Sequence, residues 1–140
     1  MFMGTYYNSI DDKNRMIIPS KHRDQLCGKC VLTKGLDKCL YIYTLDDWAK
    51  QVEKITSLPE SNPNIRKFIR HFAANAVECE LDKQGRICIP QELRSYAGIT
   101  KEMVTVGAIR RIEIWSDEAF KDAGTMETDE FASALEEYSF

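Results

Sequence analysis

The sequence predicts an α+β protein, mainly β, in which two copies of one unit intertwine about a pseudo-twofold axis into one β-barrel flanked by helices. Three observations predict this fold. The chain has 140 residues, which suits one ordinary domain or two small, closely packed halves. A segment that contains Asp11 recurs 71 positions later around Asp82. Each copy, at about 43 residues, is too short to bury a core by itself.

The repeat is clearest where Ile10–Arg23 aligns with Leu81–Arg94 without a gap. Five of these fourteen positions are identical: Asp11/Asp82, Arg15/Arg86, Ile18/Ile89, Pro19/Pro90 and Arg23/Arg94. With one inserted residue the alignment continues, and it then places Thr33 over Thr105 and Tyr41–Tyr43 over Glu113–Trp115. An ordered set of this length indicates a duplicated unit.

Each unit has the pattern of a strand, a tight turn, a strand, a short helix and a closing hairpin. The predicted strands before and after the turns are Thr5–Ile10, Arg15–Ile18, Ala76–Leu81 and Arg86–Ile89. Three-residue hairpin loops need a left-handed backbone at their last position. Gly85 adopts it without steric cost, and Asn14 is the next best choice. Pro19 and Pro90 suit the first turn of a helix, and these helices are expected to end near Gly28 and Gly98.

These signals divide the chain into four segments. Residues 5–47 form the first repeat, 48–75 the linker helices, 76–119 the second repeat and 120–140 an acidic C-terminal tail. In the linker, Thr44 is typical of an N-cap before one helix, and Asn62–Pro63 of the start of a second.

Composition narrows the class of function. Hydrophobic residues make up 44% and charged residues 29% of the chain, which is typical of a folded protein. The longest apolar run, Cys39–Tyr43, is too short to span a membrane, and no secretory signal is recognisable. We therefore expect a cytoplasmic protein with no membrane partner, whose five cysteines are free thiols. The net charge of −3 is unevenly distributed, since residues 117–140 carry −7 and residues 1–116 carry +4. The positive charge of residues 1–116 permits a basic surface there.

An Asp-x-x-x-Arg motif flanks each hairpin loop, at Asp11–Arg15 and at Asp82–Arg86. The aspartate can accept hydrogen bonds from the turn amides and from the arginine. One interpretation is a structural clip that locks the hairpin. The other is a preorganised guanidinium that approaches phosphates or guanine edges at low entropic cost. The two are compatible, and the duplication places two such arginines on one face, with Lys13 and Lys83 beside them.

Together these motifs resemble the MraZ family of bacterial transcriptional regulators, which belongs to the SpoVT-AbrB-like swapped-hairpin group. The segments that carry the resemblance are Met1–Gly4, Arg15–Pro19, Val31–Leu36, Glu78–Arg86 and Arg111–Trp115. The resemblance implies AbrB-like swapped-hairpin units in a double-split β-barrel. It also implies a nucleoid-associated repressor of the division and cell wall gene cluster. Such a protein binds double-stranded DNA, at direct repeats upstream of its own operon, as a ring-like homo-oligomer.

Carried over residue by residue, the resemblance assigns the site as follows. The residues expected to contact DNA are Arg15 and Arg86, with the neighbouring lysines Lys13 and Lys83. The residues expected to orient the arginines are Asp11 and Asp82. The turn positions are Gly85 and Asn14, and Asn14 departs from the glycine usual in the family.

Two other classes of function stay open. An oligomeric scaffold or antitoxin-like module could bind a protein through the acidic tail, whose apolar residues are Phe131, Leu135, Tyr138 and Phe140. A zinc or redox protein could be built on Cys27 and Cys30, but Gly98 stands where the second repeat would need a matching cysteine, and zinc takes four ligands. The chain has two histidines and no glycine-rich phosphate loop or recognisable catalytic triad. We therefore expect neither an enzyme nor a metal or cofactor.

Overall fold

The computed structural model describes residues 1–123 and 128–139. Its strands are β1 (Thr5–Ser9), β2 (Arg15–Ile17), β3 (Lys29–Lys34), β4 (Leu40–Tyr43), β5 (Val77–Glu80), β6 (Arg86–Cys88), β7 (Glu102–Gly107) and β8 (Ile112–Ser116). Its helices are α1 (Ser20–Leu26), α2 (Leu45–Thr56), α3 (Pro63–Ala73), α4 (Gln91–Ala97), α5 (Asp117–Ala123) and α6 (Thr128–Leu135), followed by a 3-10 turn at Glu136–Tyr138.

Local sequence sets where the linker helices begin. The Thr44 hydroxyl accepts a hydrogen bond from the Asp47 amide at 3.0 Å and caps α2. The Asn62 side chain accepts from the Asn64 amide at 2.9 Å and caps α3, whose first residue is Pro63. The helices predicted after Thr44 and Asn62 are confirmed.

The short helices of the two repeats also follow their prolines. Pro19 and Pro90 occupy the N-cap positions of α1 and α4, one residue before the first turn in which they were expected. Gly98 ends α4 in the left-handed conformation, with φ 66°. In α1 that position belongs to Cys27, with φ 55°, so the helix ends just before Gly28.

The strands of the two repeats are exchanged. Six strands form one antiparallel sheet in the order β1-β7-β8-β4-β3-β5, and β2 pairs with β6 in a separate two-stranded ribbon. Each outer strand of the sheet therefore pairs with the other repeat, β1 with β7 and β5 with β3. Replacing every strand by its counterpart in the other repeat reverses this order onto itself. The topology thus has a pseudo-twofold axis between β4 and β8.

The predicted closed barrel is not confirmed. Among the described residues, β1 and β5 end the six-stranded sheet, and no ladder joins one to the other. Both strands instead lead through hairpin loops into the ribbon. The ribbon covers one face of the sheet with Met16 and Ile87, which are almost completely buried.

Hydrophobic side chains lie on both faces of the six-stranded sheet. Between the sheet and the ribbon, the core is mainly aliphatic, including Leu32, Ile42 and Ile114. The opposite face carries an aromatic cluster in which Trp48 from α2 stacks on Phe72 from α3, with ring centroids 5.2 Å apart. The linker helices are thereby fastened to the face that points away from the ribbon.

Strand register corrects one detail of the repeat alignment. Leu32 pairs with Val77, and Thr105 pairs with Tyr6. Since Tyr6 and Val77 are equivalent in the 71-residue repeat, Thr105 occupies the place of Leu32 and not that of Thr33. Its hydroxyl is consequently buried in the aliphatic core, without a hydrogen-bond partner among the described residues.

Candidate nucleic-acid interface

The first hairpin loop is organised around one carboxylate. Asp11 Oδ1 accepts hydrogen bonds from the backbone amides of Lys13 and Arg15, both at 2.9 Å. Asp11 Oδ2 accepts from the Nε of Arg15 at 2.9 Å. The loop closes with Asn14 in the left-handed conformation, at φ 61°. The side chain of Arg15 is thus tied to the base of its own hairpin.

The second hairpin loop repeats these contacts with a different loop sequence. Asp82 Oδ1 accepts from the amides of Gln84 and Arg86 at 2.9 Å, and Oδ2 accepts from the Nε of Arg86 at 2.8 Å. Gly85 takes the left-handed position at φ 76°. Because only the aspartate and the arginine are common to both motifs, the geometry follows from their spacing.

Hydrogen bonding favours the ionised form of both aspartates. The amide of Arg15, with further help from the Arg15 side chain, holds the pKa of Asp11 below its ordinary value. The amide and side chain of Arg86 do the same for the pKa of Asp82, and desolvation opposes the shift at both sites. Each carboxylate therefore keeps its charge, and with it the ion pair to its arginine, down to a lower pH than an ordinary aspartate does.

The terminal nitrogens of both guanidinium groups remain free to bind a ligand. Within residues 1–123 and 128–139, Arg15 and Arg86 donate side-chain hydrogen bonds only through Nε. Their side chains are 29% and 24% exposed. A guanidinium held at Nε still presents two nitrogens that can bind a phosphate or a guanine edge bidentately.

Strand pairing places both arginines on one face of the ribbon. Arg15 lies opposite Cys88, and Arg86 lies opposite Ile17, whereas the intervening residues Met16 and Ile87 point into the core. The two arginines are therefore diagonal neighbours on the outward face, with Cα atoms about 7–8 Å apart. Neither motif by itself predicts this proximity, because it depends on the pairing between the repeats.

Each hairpin tip is hydrogen-bonded to the other repeat. The amide of Ile18 donates to the carbonyl of Gly85 at 2.8 Å, and the amide of Ile89 donates to the carbonyl of Asn14 at 2.9 Å. The tips consequently lie at opposite ends of the ribbon. Their exposed lysines, Lys13 and Lys83, flank the arginine-bearing face at its two ends.

Two further arginines support this face, and the prediction missed their role. Arg23 donates from Nε to the carbonyl of Ile18 at 2.8 Å, and Arg94 donates from a terminal nitrogen to the carbonyl of Ile89. Both bonds join a short helix to the end of a ribbon strand. The signal was present in the sequence, since Arg23 and Arg94 are identical positions of the repeat.

The cysteines form no comparable site. Cys27 is exposed at the end of α1, whereas Cys30 is buried in β3 opposite Cys79 of β5. The contact with Cys79, together with burial, raises the pKa of the Cys30 thiol. Over the described ranges, no group of three or more histidine, cysteine or acidic side chains is placed to hold a metal ion.

The acidic tail contributes little to the core. Every residue of α6 is exposed except the half-buried Leu135, and the ring of Phe131 is 49% exposed. Phe140, which was included in the candidate docking segment, lies outside the described residues. None of the described helices is long and apolar enough to cross a membrane.

Comparison with known proteins decides the family. The model of a family described as "MraZ protein, putative antitoxin-like" matches this chain twice, over residues 1–71 and 72–137. The chain belongs to the MraZ family. The double match confirms that this MraZ-family protein consists of two repeated domains.

Two full-length relatives of this MraZ-family chain carry the same name. The "Transcriptional regulator MraZ" of Halothermothrix orenii is 46% identical over 140 residues, which cover 98% of each chain. The "Transcriptional regulator MraZ" of Desulfitobacterium hafniense is 47% identical over 136 residues, which cover 97% of this chain and 95% of the relative. The resemblance inferred from the motifs is confirmed. These names describe regulators, so the expectation that the MraZ-family chain is not an enzyme is confirmed as well.

Proposed function

We propose that this MraZ-family protein is a sequence-specific DNA-binding transcriptional regulator whose interface is the outward face of the β2/β6 ribbon. One observation carries the proposal: Arg15 and Arg86, each held by its own aspartate, lie diagonally on the same outward face. A pair of restrained guanidinium groups suits phosphates and guanine edges.

The two-stranded form of the ribbon fits this function. A two-stranded antiparallel ribbon enters the major groove of B-DNA, where arginine binds the O6 and N7 atoms of guanine. The salt bridges from Asp11 and Asp82 limit the motion of the two arginines before binding, which lowers the entropy cost of the complex. Lys13 and Lys83, at the two ends of the ribbon, contact phosphates. In this arrangement the ribbon and the larger sheet are the two parts of a double-split barrel.

One subunit carries few cations at this face, so it neutralises few phosphates and binds DNA weakly. A ring-like homo-oligomer gains affinity through multivalency when several subunits bind direct repeats spaced by one helical turn, about 10 base pairs. The repeats lie upstream of the division and cell wall gene cluster, and binding represses the protein's own operon. This action places the protein in the cytoplasm, on the nucleoid, without a cofactor.

A gel-shift series with the DNA upstream of the gene tests the interface. We expect salt-sensitive binding that Arg15→Ala and Arg86→Ala each weaken by about tenfold or more. Arg110→Ala removes the same charge from the exposed β7–β8 turn and is the matched control, expected to stay within about twofold. A wild-type protein that gives no specific shift contradicts the proposal.

The spacing of the DNA repeats tests the oligomeric part. Insertion of about half a helical turn between two repeats moves one of them to the opposite side of the duplex. We expect this insertion to weaken binding far more than a single mismatch does. Equal losses contradict simultaneous binding by several subunits.

The alternative function is that of an oligomeric scaffold or antitoxin-like module that binds a protein through the acidic tail. The exposed ring of Phe131 and the exposed Tyr138 favour it. A chain that ends at Ala123 separates the two proposals in the same gel-shift assay. DNA binding by the truncated chain supports the ribbon interface, whereas the scaffold proposal predicts no specific shift with either chain.

A further inference from the structure

The arginine-bearing face of the ribbon also presents an exposed isoleucine. Ile17 is 49% exposed, although the residues on either side of it in the chain, Met16 and Ile18, are fully buried. Strand register places Ile17 directly opposite Arg86. A branched apolar side chain therefore lies opposite one of the two arginines, on the face that the proposed function assigns to DNA.

The local geometry holds this side chain close to the arginine. Hydrogen-bonded and non-hydrogen-bonded pairs alternate along an antiparallel ladder, and the side chains are closer in the latter. Ile18 is hydrogen-bonded to Gly85, so Ile17 and Arg86 form a non-hydrogen-bonded pair. The carbonyl of Ile17 points away from β6 and accepts a hydrogen bond from Asn8 Nδ2 at 3.1 Å. This hydrogen bond restrains the backbone at Ile17.

The second repeat lacks this feature. Cys88 is the counterpart of Ile17 and lies opposite Arg15. Its side chain is smaller, and its Sγ lies 3.9 Å from the carbonyl of Lys13 in the first hairpin loop. The counterpart of Asn8 is Cys79, which has no amide group to hold the neighbouring carbonyl. The two halves of the outward face therefore share their arginines and differ in their apolar residue.

We propose that Ile17 is a specificity-determining residue that packs against the C5-methyl group of a thymine adjacent to the base bound by Arg86. The inference rests on the proposed function. Thymine presents a methyl group in the major groove, and apolar side chains recognise it there. The pairing of Ile17 with Arg86 places the methyl contact and the guanidinium contact on neighbouring base pairs.

This contact also gives the interface a direction. An interface with true twofold symmetry reads a site equally in both orientations. Ile17 on one half and Cys88 on the other make the two orientations unequal, so one subunit distinguishes the two ends of its site. A directional subunit matches direct repeats, in which every copy of the site points the same way.

Substitution of thymine by uracil tests the contact, because it removes only the methyl group. Thymines of a duplex with a single repeat are replaced one at a time, and the affinity of the full chain is measured for each duplex. We expect one thymine whose replacement by uracil weakens binding about fourfold, which is the factor that corresponds to the free energy of burying one methyl group. In Ile17→Ala that sensitivity disappears, whereas Ile17→Val keeps part of it. Leu36→Ala, at an exposed apolar residue in the β3–β4 turn, is the control and keeps the full sensitivity.

A specific complex that is indifferent to uracil at every thymine overturns this inference and leaves the proposed function standing. Uracil sensitivity that persists in Ile17→Ala, or that disappears in Cys88→Ala instead, also overturns it. Absence of any specific complex with the wild-type chain overturns both the inference and the proposed function. The exchange Ile17→Cys with Cys88→Ile provides a second test, since the sensitive thymine is expected to move to the other half of the site.

Discussion

Arg23 lies across Gly85, and its guanidinium fills the space that a Cβ atom at that position would need. The same side chain donates from Nε to the carbonyl of Ile18. The tip of the second hairpin is thereby held against the short helix of the first repeat. Glycine is therefore required at position 85 for two reasons. The backbone is left-handed there, with φ 76°, and the side chain of an arginine from the other repeat occupies the space beside it.

Gly85→Ala is therefore expected to destabilise the protein. An alanine in the left-handed region costs about 1–2 kcal/mol, and displacement of Arg23 adds to this cost. Asn14→Gly is the matched variant at the first tip and is expected to change stability by less than about 1 kcal/mol. Urea denaturation of both variants measures the difference. Equal stability of the two variants would contradict the close contact between Arg23 and Gly85.

The aspartates are expected to matter for DNA affinity through the arginines they hold. In Asp11→Asn and Asp82→Asn, an amide nitrogen can replace the oxygen that accepts from the arginine Nε. The released side chain then has to be restrained when DNA binds. The entropy cost of restraining one long side chain is expected to weaken DNA binding by about two- to tenfold. Asp12→Asn, at an exposed neighbour that has no such contact, is the control. The salt dependence should change little, because neither variant removes a cation from the interface.

Cysteine labelling offers a test of the interface without mutation. Cys27 and Cys88 are exposed, whereas Cys30 and Cys39 are buried, and burial raises the pKa of the Cys39 thiol to about 12. A maleimide is expected to label Cys27 and Cys88 first. Operator DNA should then slow the labelling of Cys88 on the ribbon and leave Cys27 unaffected. Mass spectrometry of the labelled peptides provides the measurement, and protection of neither residue would count against the ribbon interface.

Acid is expected to destabilise the protein through His22. This residue is 2% exposed, and its imidazole packs nearly at right angles to the rings of Phe2 and Tyr6, with centroids 5.3 Å apart in both pairs. Burial, together with the charge of the N-terminus, lowers its pKa below the ordinary value of 6.5. The unfolded chain then binds a proton at a higher pH than the folded chain. The contribution to stability is present above pH 6.5 and is lost as the pH falls below it.

The second repeat provides the variant that removes this effect. Leu93 occupies the equivalent position and is buried, so His22→Leu restores the residue type of its counterpart. The free energy of unfolding of this variant should fall less than that of the wild type as the pH is lowered below 6.5. Identical pH profiles would assign the acid sensitivity to other groups.

Two buried threonines are expected to respond in opposite ways to loss of the hydroxyl. Thr33 donates to the carbonyl of Phe72 at 2.6 Å, which fastens α3 to the sheet. Thr33→Val is therefore expected to cost about 1–2 kcal/mol. Thr105 has no hydrogen-bond partner among the described residues, so Thr105→Val should be neutral or stabilising by up to about 1 kcal/mol. Thermal unfolding of both variants tests the one-residue correction of the repeat alignment.

Local chemistry made much of this protein predictable. A hairpin loop with aspartate and arginine four residues apart constrains its own backbone, so the contacts at Asp11 and Asp82 depend on near neighbours in the chain. Caps such as Thr44 act within one turn of a helix. The identities between the repeats indicated the duplication and, with the family motifs, the family itself. The four-segment division of the chain stays a prediction.

The pairing between residues far apart in the chain could not be predicted from local sequence. The register between β2 and β6 puts Arg15 and Arg86 on one face, and a shift by one residue would turn one of them toward the core. That register depends on how Met16, Ile87 and their neighbours fill one shared core, which no single repeat specifies. The sequence alone determined which side chains each repeat presents and how each hairpin turns. The duplication predicted that the two arginines share a face, but only the tertiary structure decided that they are diagonal neighbours on one ribbon, with Ile17 opposite Arg86, because strand exchange joins the repeats there.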